Sequence, residues 1–389
     1  MPAPAAPSAP TPCPPIDEPI ATAQQLYDGR LPPDLVASTL RGYDRLYPSR
    51  VVRRGPRASP LPSGEPLPDF TFASGGHTFD LVDYLAFNRV AGLLVLKDGR
   101  IRHESHHLGN DARTRWGSMS VAKSVTSTLA GIALRDGLIG SLDDDVTRYL
   151  PSLSGSGYQG VSVRQVLRMC SGVQWNETYV DPTSDRRRML AAQDAQRGGA
   201  VLELMASLPR IAEPGTRFNY STGETHILGA LVRAAVGRPL ADYLSETVWQ
   251  PCGMESDASW WLEAPDGLEV GGSGIAATLR DYGRFGQFLI DGGRAGGLTR
   301  LPDDWLDEAG THKLVGGEPL AYGYMLWPID AGPRGGVGSF AARGIFGQHI
   351  HMDPAERLVI VVWGALPKPK DRVFIDDADF FRAVTEALR

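Results

Sequence analysis

The chain has 389 residues, 42% of them hydrophobic and 22% charged, with a formal net charge of −6. That length suits one large two-lobed unit or two to three domains, and the composition is that of an ordinary globular protein. The negative balance argues against nucleic acid as the main partner, because phosphate binding needs a basic face, and no stretch approaches the ~18 apolar residues of a membrane span.

The first twenty residues are rich in Pro and Ala and lack both a basic start and a continuous apolar segment. They read as a flexible leader rather than a signal peptide, which points to a cytoplasmic protein. Cys13, Cys170 and Cys252 are too widely spaced for a disulfide framework or a C-x-x-C metal pair, and Cys170 reads as core. Arg186, Arg187 and Arg188 form the one tight basic cluster, expected as a solvated helix face.

Taken in order, residues 1–70 hold many prolines and little periodicity, which predicts an extended arm, partly flexible, that wraps the body. Helical spacing begins near Phe79, with Leu81, Tyr84 and Leu85 on one face. Ala91 to Leu96 and Ile101 to His106 flank Lys97-Asp98-Gly99-Arg100, a hairpin signal. A helix-rich middle follows. Ser120 to Asp136 stops at Gly137, and Ser162 with Gln165 makes a capping box for Val161 to Met169. Further helices fit Glu224 to Val236, Leu240 to Trp249, and a segment opened by Thr278 and Asp281 that ends before Gly292-Gly293. Strands return at Ala321 to Trp327, Gly347 to Met352 and Leu358 to Trp363, the last two joined by an Asp353-Pro354-Ala355-Glu356 turn, before a final helix over Asp376 to Leu388.

Strands at both ends with helices between predict an α+β fold: an antiparallel sheet flanked by helices, with an inserted, mainly helical lobe. The domains expected are the arm at 1–70, a sheet domain of 71–119 plus 270–389, and a helical domain at 120–269.

The strongest chemistry lies in Ser118-Met119-Ser120-Val121-Ala122-Lys123-Ser124. On a helix, residues three apart lie side by side, so Ser120 and Lys123 meet. The chain has only five lysines, at 97, 123, 313, 368 and 370, and Lys123 alone falls in a helix of small and apolar residues. Val121, Val125, Leu129 and Ile132 make an apolar stripe, while Ser120, Lys123, Ser124 and Ser127 lie roughly opposite, short hydroxyls that suit an enclosed polar site. Ser120 at the helix start also has free backbone N–H groups and the positive dipole end beside it. This segment alone fits equally an ordinary N-cap serine followed by a snorkelling surface lysine.

From about Leu93 to the C-terminus the sequence resembles the class C β-lactamase-like serine hydrolases of the penicillin-recognising superfamily, and within them the esterases and 6-aminohexanoate-dimer hydrolases. Ser120 and Lys123 match the family's first motif, Ser-x-x-Lys. Tyr220 matches the second, Tyr-x-Asn or Tyr-x-Ser, with Thr222 at the third place, where a hydroxyl replaces the amide that orients substrate. The third motif, Lys-Thr-Gly or His-x-Gly, is placed at Ala342-Arg343-Gly344, so the cation at its first position is gone and Arg343 is the substitute at hand. That absence argues against a β-lactamase. By resemblance, the backbone N–H groups of Ser120 and Ile345 form the oxyanion hole, and Tyr179, in Asn176-Glu177-Thr178-Tyr179, closes over the substrate. Trp260, Trp261 and Trp327 are further candidates for the pocket wall.

The resemblance implies a β-lactamase/penicillin-binding-protein-like fold and a carboxylesterase or amidase. Its catalytic residues are Ser120, Lys123 and Tyr220, its substrate contacts Tyr179, Thr222, Arg343 and Gly344, and it needs no metal or cofactor. The partner expected is a small ester or amide, with oligomeric state open and a homodimer among the options. The alternatives are a binding or acyl-sensing protein on the same fold without turnover, and a β-lactamase or D-amino-acid peptidase. No Gly-x-Ser-x-Gly elbow supports an α/β-hydrolase. His103, His106, His107, His349 and His351 lack an H-E-x-x-H or comparable cluster with carboxylates for zinc.

Overall fold

Val90–Lys97 reads Val-Ala-Gly-Leu-Leu-Val-Leu-Lys, a run with no polar face, and a strand of that kind needs cover on both sides. In the computed structural model, which describes residues 18–330, 337–370 and 373–389, it lies deep in a six-stranded antiparallel sheet. The strand order is Trp327–Pro328, Phe340–Gly344, Gln348–Asp353, Leu358–Gly364, Val90–Lys97 and Arg100–His106. Leu94 faces Val361 and Leu96 faces Val359 across the central pair, so alternate residues leave on opposite faces. Leu94, Leu96, Val359 and Val361 join the large core cluster with the helix Leu279–Ile290. Leu93, Val95, Ile360 and Val362 pack with Tyr84, Phe380 and Val384 on the other side. Each such fully buried side chain contributes about 2 kcal/mol. The Lys97–Arg100 hairpin closes through Asp98 at φ 53° and Gly99 at φ 70°, the two left-handed positions of a type I′ turn.

The helical lobe is built around Val121–Arg135 and Thr222–Val236, which pack on each other. A second antiparallel sheet orders Ser49–Val52, Ala258–Trp261, Ile275–Ala277 and Trp116–Gly117. Its last strand leads straight into Ser118, whose N–H donates to the Ile275 carbonyl at 2.8 Å. The chain thus arrives at Ser120 tethered on one side by a sheet and on the other by a helix.

Several expectations need correction. The arm expected to be extended contains helices Ala23–Asp28, opened by a Thr22/Gln25 capping box, and Pro33–Arg41, and their apolar faces enter the core through Leu26, Tyr27, Val36 and Leu40. The Pro- and Ala-rich leader with Cys13 falls outside the described residues. Phe79 stands in a strand, His77–Asp80, and the helix begins only at Leu81, where Asp80 caps it. Of the strand expected over Ala321–Trp327, only Trp327–Pro328 forms. Upstream of it the Ser124 and Ser127 hydroxyls, at 2.7 Å each, take the carbonyls of Met325 and Tyr324 that a ladder would use, and Met325 turns at φ 58°. The polar stripe on Val121–Arg135 is therefore only partly a site: Ser124 and Ser127 serve the backbone, and residues 121–133 are buried all round.

The arginine cluster is also not solvated. Arg186 and Arg187 are buried, and only Arg188 is exposed enough to sit at the surface. Arg186 Nη2 donates to the Tyr27 hydroxyl at 2.6 Å with its guanidinium over that ring, and Arg187 reaches Gln24 and Asp28 at 2.8 Å each. These two side chains fasten the N-terminal helix to Asp185–Asp194.

Candidate active site

Met119 adopts φ 48°, a left-handed turn rare for a branchless but bulky residue, and this turn delivers Ser120 to the first position before the helix Val121–Arg135. Ser120 occupies the N-cap place, yet its hydroxyl makes no capping hydrogen bond. It is instead held by Lys123, whose Nζ lies 2.9 Å from Ser120 Oγ. The ordinary alternative of a capping serine and a snorkelling lysine is thereby set aside, since Lys123 is only 1% exposed.

Lys123 Nζ has two more partners, Thr222 Oγ1 and the Gly272 carbonyl oxygen, both at 2.9 Å. Burial pushes its pKa down from 10.5 to about 7, with Glu177 opposing the fall and Arg186 adding to it. Gly272 belongs to the Gly271-Gly272-Ser273-Gly274 run, and a Cβ there would stand 2.8 Å from Thr222 Cγ2. A side-chain-free position is needed for the carbonyl to reach the lysine.

Tyr220 sits immediately before the helix Thr222–Val236. Its loop is pinned by Asn219, whose N–H donates to the Met169 carbonyl at 2.8 Å and whose Nδ2 donates to the Trp175 carbonyl at 3.1 Å. Lys123 Nζ stands 5.2 Å from the Tyr220 ring centroid. Burial raises the phenol's pKa well above its usual value, Glu177 adds to the rise, and a hydrogen bond with Ser120 opposes it. Tyr322 meets the Tyr220 ring edge-on at 5.9 Å and Trp327 lies 5.8 Å away, so the three rings form one wall.

Beside Trp327, whose strand pairs with it, the strand Phe340–Gly344 ends against Ser120. A Cβ on Gly344 would lie 2.7 Å from the Ser118 carbonyl oxygen and 3.0 Å from the Ser120 amide nitrogen, so only glycine permits this approach. Among the described residues no backbone acceptor takes the N–H of Ser120 or of Ile345. Arg343 is exposed and lies over Trp327, 5.8 Å from its centroid.

Tyr179 is buried and lines a cavity of about 310 Å³ with Glu177, Thr178, Val180, Pro369 and Lys370. Beneath it Tyr27 touches both Tyr179, at 5.9 Å edge-on, and Phe346, at 6.5 Å. Thr222, expected to orient substrate, has its hydroxyl committed to Lys123 and Glu177. Of the tryptophans, Trp327 is at the site, whereas Trp260 and Trp261 are core: their indole N–H groups donate to the carbonyls of Val270 and Tyr43.

Of the five histidines weighed for zinc, His103 and His106 lie on one strand of the large sheet with His107 just past its end, and His349 and His351 lie on another. His103 and His107 share the Ser105 hydroxyl, His349 pairs with Asp377 at 3.1 Å, and His351 stacks on Phe381. Among the described residues no three ligand-type side chains are grouped to hold a metal ion, and no helix is long and apolar enough to cross a membrane.

Sequence reasoning missed Glu177, Gly272 and Tyr27. The glycine run was the one visible signal, since consecutive glycines mark a close backbone approach. Glu177 carries no local pattern at all.

Known proteins similar to this chain give its family and its fold. The Beta-lactamase family profile matches residues 85–383. The chain is 29% identical over 306 residues to the 6-aminohexanoate-dimer hydrolase of Paenarthrobacter ureafaciens, covering 75% of this chain and 77% of that protein. In fold it is similar to a candidate 6-aminohexanoate-dimer hydrolase from Bacillus anthracis, with a TM-score of 0.77 at 22% identity over 91% of this chain and 92% of the other. It is also similar to a family VIII carboxylesterase, with a TM-score of 0.58 at 19% identity over 76% of this chain and 91% of the other. With a family match across three quarters of its length and a mixed helical and antiparallel-sheet architecture, the chain belongs to the beta-lactamase family of hydrolases.

Proposed function

We propose that this protein is a serine hydrolase that cleaves small esters or linear amides through an acyl-enzyme on Ser120. The observation that carries the reading is the 2.9 Å contact between Lys123 Nζ and Ser120 Oγ, made by a lysine that burial holds near neutrality. Neutral Lys123 takes the hydroxyl proton as Ser120 Oγ attacks the carbonyl carbon. The N–H groups of Ser120 and Ile345 receive the charge that develops on the carbonyl oxygen. Tyr220 protonates the departing alcohol or amine, and a water activated by the same Lys–Tyr pair then releases the acyl group and restores Ser120.

Tyr179 and Gly344 bound the substrate cleft, and Arg343 supplies a cation at its mouth. The likeness to a 6-aminohexanoate-dimer hydrolase supports a linear amide, and the likeness in fold to a carboxylesterase supports an ester. Initial rates on a short p-nitrophenyl ester and on the linear 6-aminohexanoate dimer, with Ser120→Ala as control, test the proposal. Turnover of both, lost in the control, is the expected result. Ester turnover alone narrows the enzyme to a carboxylesterase, and a Ser120→Ala protein as fast as wild type refutes the nucleophile.

A further inference from the structure

A neutral amine has two N–H bonds and one lone pair, and it can act as a base toward Ser120 only if the lone pair points there. The three partners of Lys123 Nζ, each at 2.9 Å, compete for those three directions. The Gly272 carbonyl can only accept, so it takes one N–H. Thr222 Oγ1 is ambiguous, because a hydroxyl can donate or accept.

Glu177 removes the ambiguity. Its Oε1 accepts the single Thr222 hydroxyl proton, which leaves Thr222 Oγ1 an acceptor toward Lys123. The second N–H is thereby committed, and the lone pair remains for the Ser120 hydroxyl. The carboxylate is itself fixed, since Oε2 accepts the Thr222 backbone N–H at 2.9 Å and the Trp175 indole N–H. It also stands at the N-terminus of the helix Thr222–Val236, where negative charge is favoured.

Resting on the Ser120–Lys123 reading above, we propose that Glu177 is a positioning residue that sets the hydrogen-bond polarity of Lys123 through Thr222. Replacing Glu177 by Gln should invert the chain. Two N–H donors, from Thr222 and Trp175, demand an oxygen at the Oε2 place, so the new amide NH₂ faces Thr222 Oγ1 and donates to it. The Thr222 hydroxyl then turns its proton to the lysine lone pair, and Lys123 presents an N–H to Ser120.

The test is the pH dependence of kcat/KM on a p-nitrophenyl ester for wild type, Glu177→Gln, Thr222→Val, Thr222→Ser and the two double variants, with Ser120→Ala and Lys123→Ala as controls. A misoriented base should lower kcat/KM at the plateau on the order of 100-fold in Glu177→Gln. The acid limb should also move to lower pH, because an anion that favoured the lysine cation is gone. In the Thr222→Val background, where no hydroxyl remains to be reoriented, adding Glu177→Gln should cost less than about 3-fold, while in the Thr222→Ser background the full loss should return. If Glu177 merely holds its loop, the acid limb still moves with the lost charge but the loss in kcat/KM is the same in both backgrounds, which overturns the proposal. Wild-type rates across the whole pH range in Glu177→Gln overturn it as well. Should Glu177→Gln fail to fold, the Thr222 singles decide: Thr222→Val must fall well below Thr222→Ser. Retained turnover in Ser120→Ala or Lys123→Ala would instead strike the parent reading, so the two failures are distinguishable.

Discussion

Replacing Lys123 by Met should separate what this residue does for catalysis from what it costs the fold. In the folded protein burial lowers the lysine pKa to about 7, against 10.5 for the free side chain, and at ~1.4 kcal/mol per pKa unit that difference corresponds to about 5 kcal/mol. The sign follows from proton counting. Between pH 7 and 10.5 the unfolded chain holds a proton that the native state has lost, so wild-type stability gains from this residue as pH rises and is penalised below 7. Methionine has no such linkage. Its loss of the hydrogen bonds to Ser120, Thr222 and Gly272 is a constant offset, independent of pH. Urea unfolding of wild type and Lys123→Met at pH 6, 7, 8 and 9 should give a stability difference that is flat up to about 7. Above that it should move in favour of wild type by up to ~1.4 kcal/mol per pH unit. Turnover should fall by several orders of magnitude in the same variant. A difference that does not change with pH would mean that Lys123 keeps its proton in the native state throughout this range, and the base assignment would go with it.

Three other expectations concern single residues. Gly344→Ala puts a methyl 2.7 Å from the Ser118 carbonyl oxygen, and it should lower kcat/KM by about 100-fold with an unchanged far-ultraviolet spectrum; a wild-type rate would show that the strand end does not abut the nucleophile. Tyr220→Phe should slow amide cleavage by about 100- to 10,000-fold but hydrolysis of a p-nitrophenyl ester far less, because p-nitrophenolate leaves without a proton, and equal losses on both would count against Tyr220 as the acid. Glu224 is buried beside Ser171, and burial lifts its pKa to about 8, above the unfolded value, so the native state keeps a proton and loses stability as pH rises from about 4.5 through 8. Glu224→Gln should gain on wild type across that window in urea unfolding, whereas a constant gap would show that Glu224 ionises normally.

How much of this was legible in the sequence depended on how local each contact is. Ser120 and Lys123 are three residues apart on one helix, and the rarity of lysine in this chain made the pair visible. The Lys97–Arg100 hairpin and the Ser162 and Thr278 caps were equally local, and each formed where its residues placed it. Tyr220 needed the family resemblance, because nothing in its neighbourhood distinguishes it from a packed tyrosine. Glu177 and Gly272 reach Thr222 and Lys123 from 45 and 149 residues away, and no periodicity encodes that. Arg186 and Arg187 were misread for the same reason: three consecutive arginines look solvated until Tyr27 and Asp28, 159 residues earlier, come to meet them. The Ala321–Leu326 segment failed as a strand because serines on a neighbouring helix outcompeted a ladder for its carbonyls.

The clasp between Arg186 and Tyr27 bears on where this enzyme's functional unit begins. The family match starts at residue 85, some sixty residues after the helix that carries Tyr27. A protein trimmed to the matched segment would keep Ser120, Lys123 and Tyr220 and still lose the ring that underlies Tyr179 and Phe346. It would strand a buried guanidinium without its hydroxyl acceptor and expose the flank of the small sheet where Ser49–Val52 pairs with Ala258–Trp261. The N-terminal segment thus backs Tyr179 and Phe346 from behind, and a chain cut at the matched segment would leave both rings without that support.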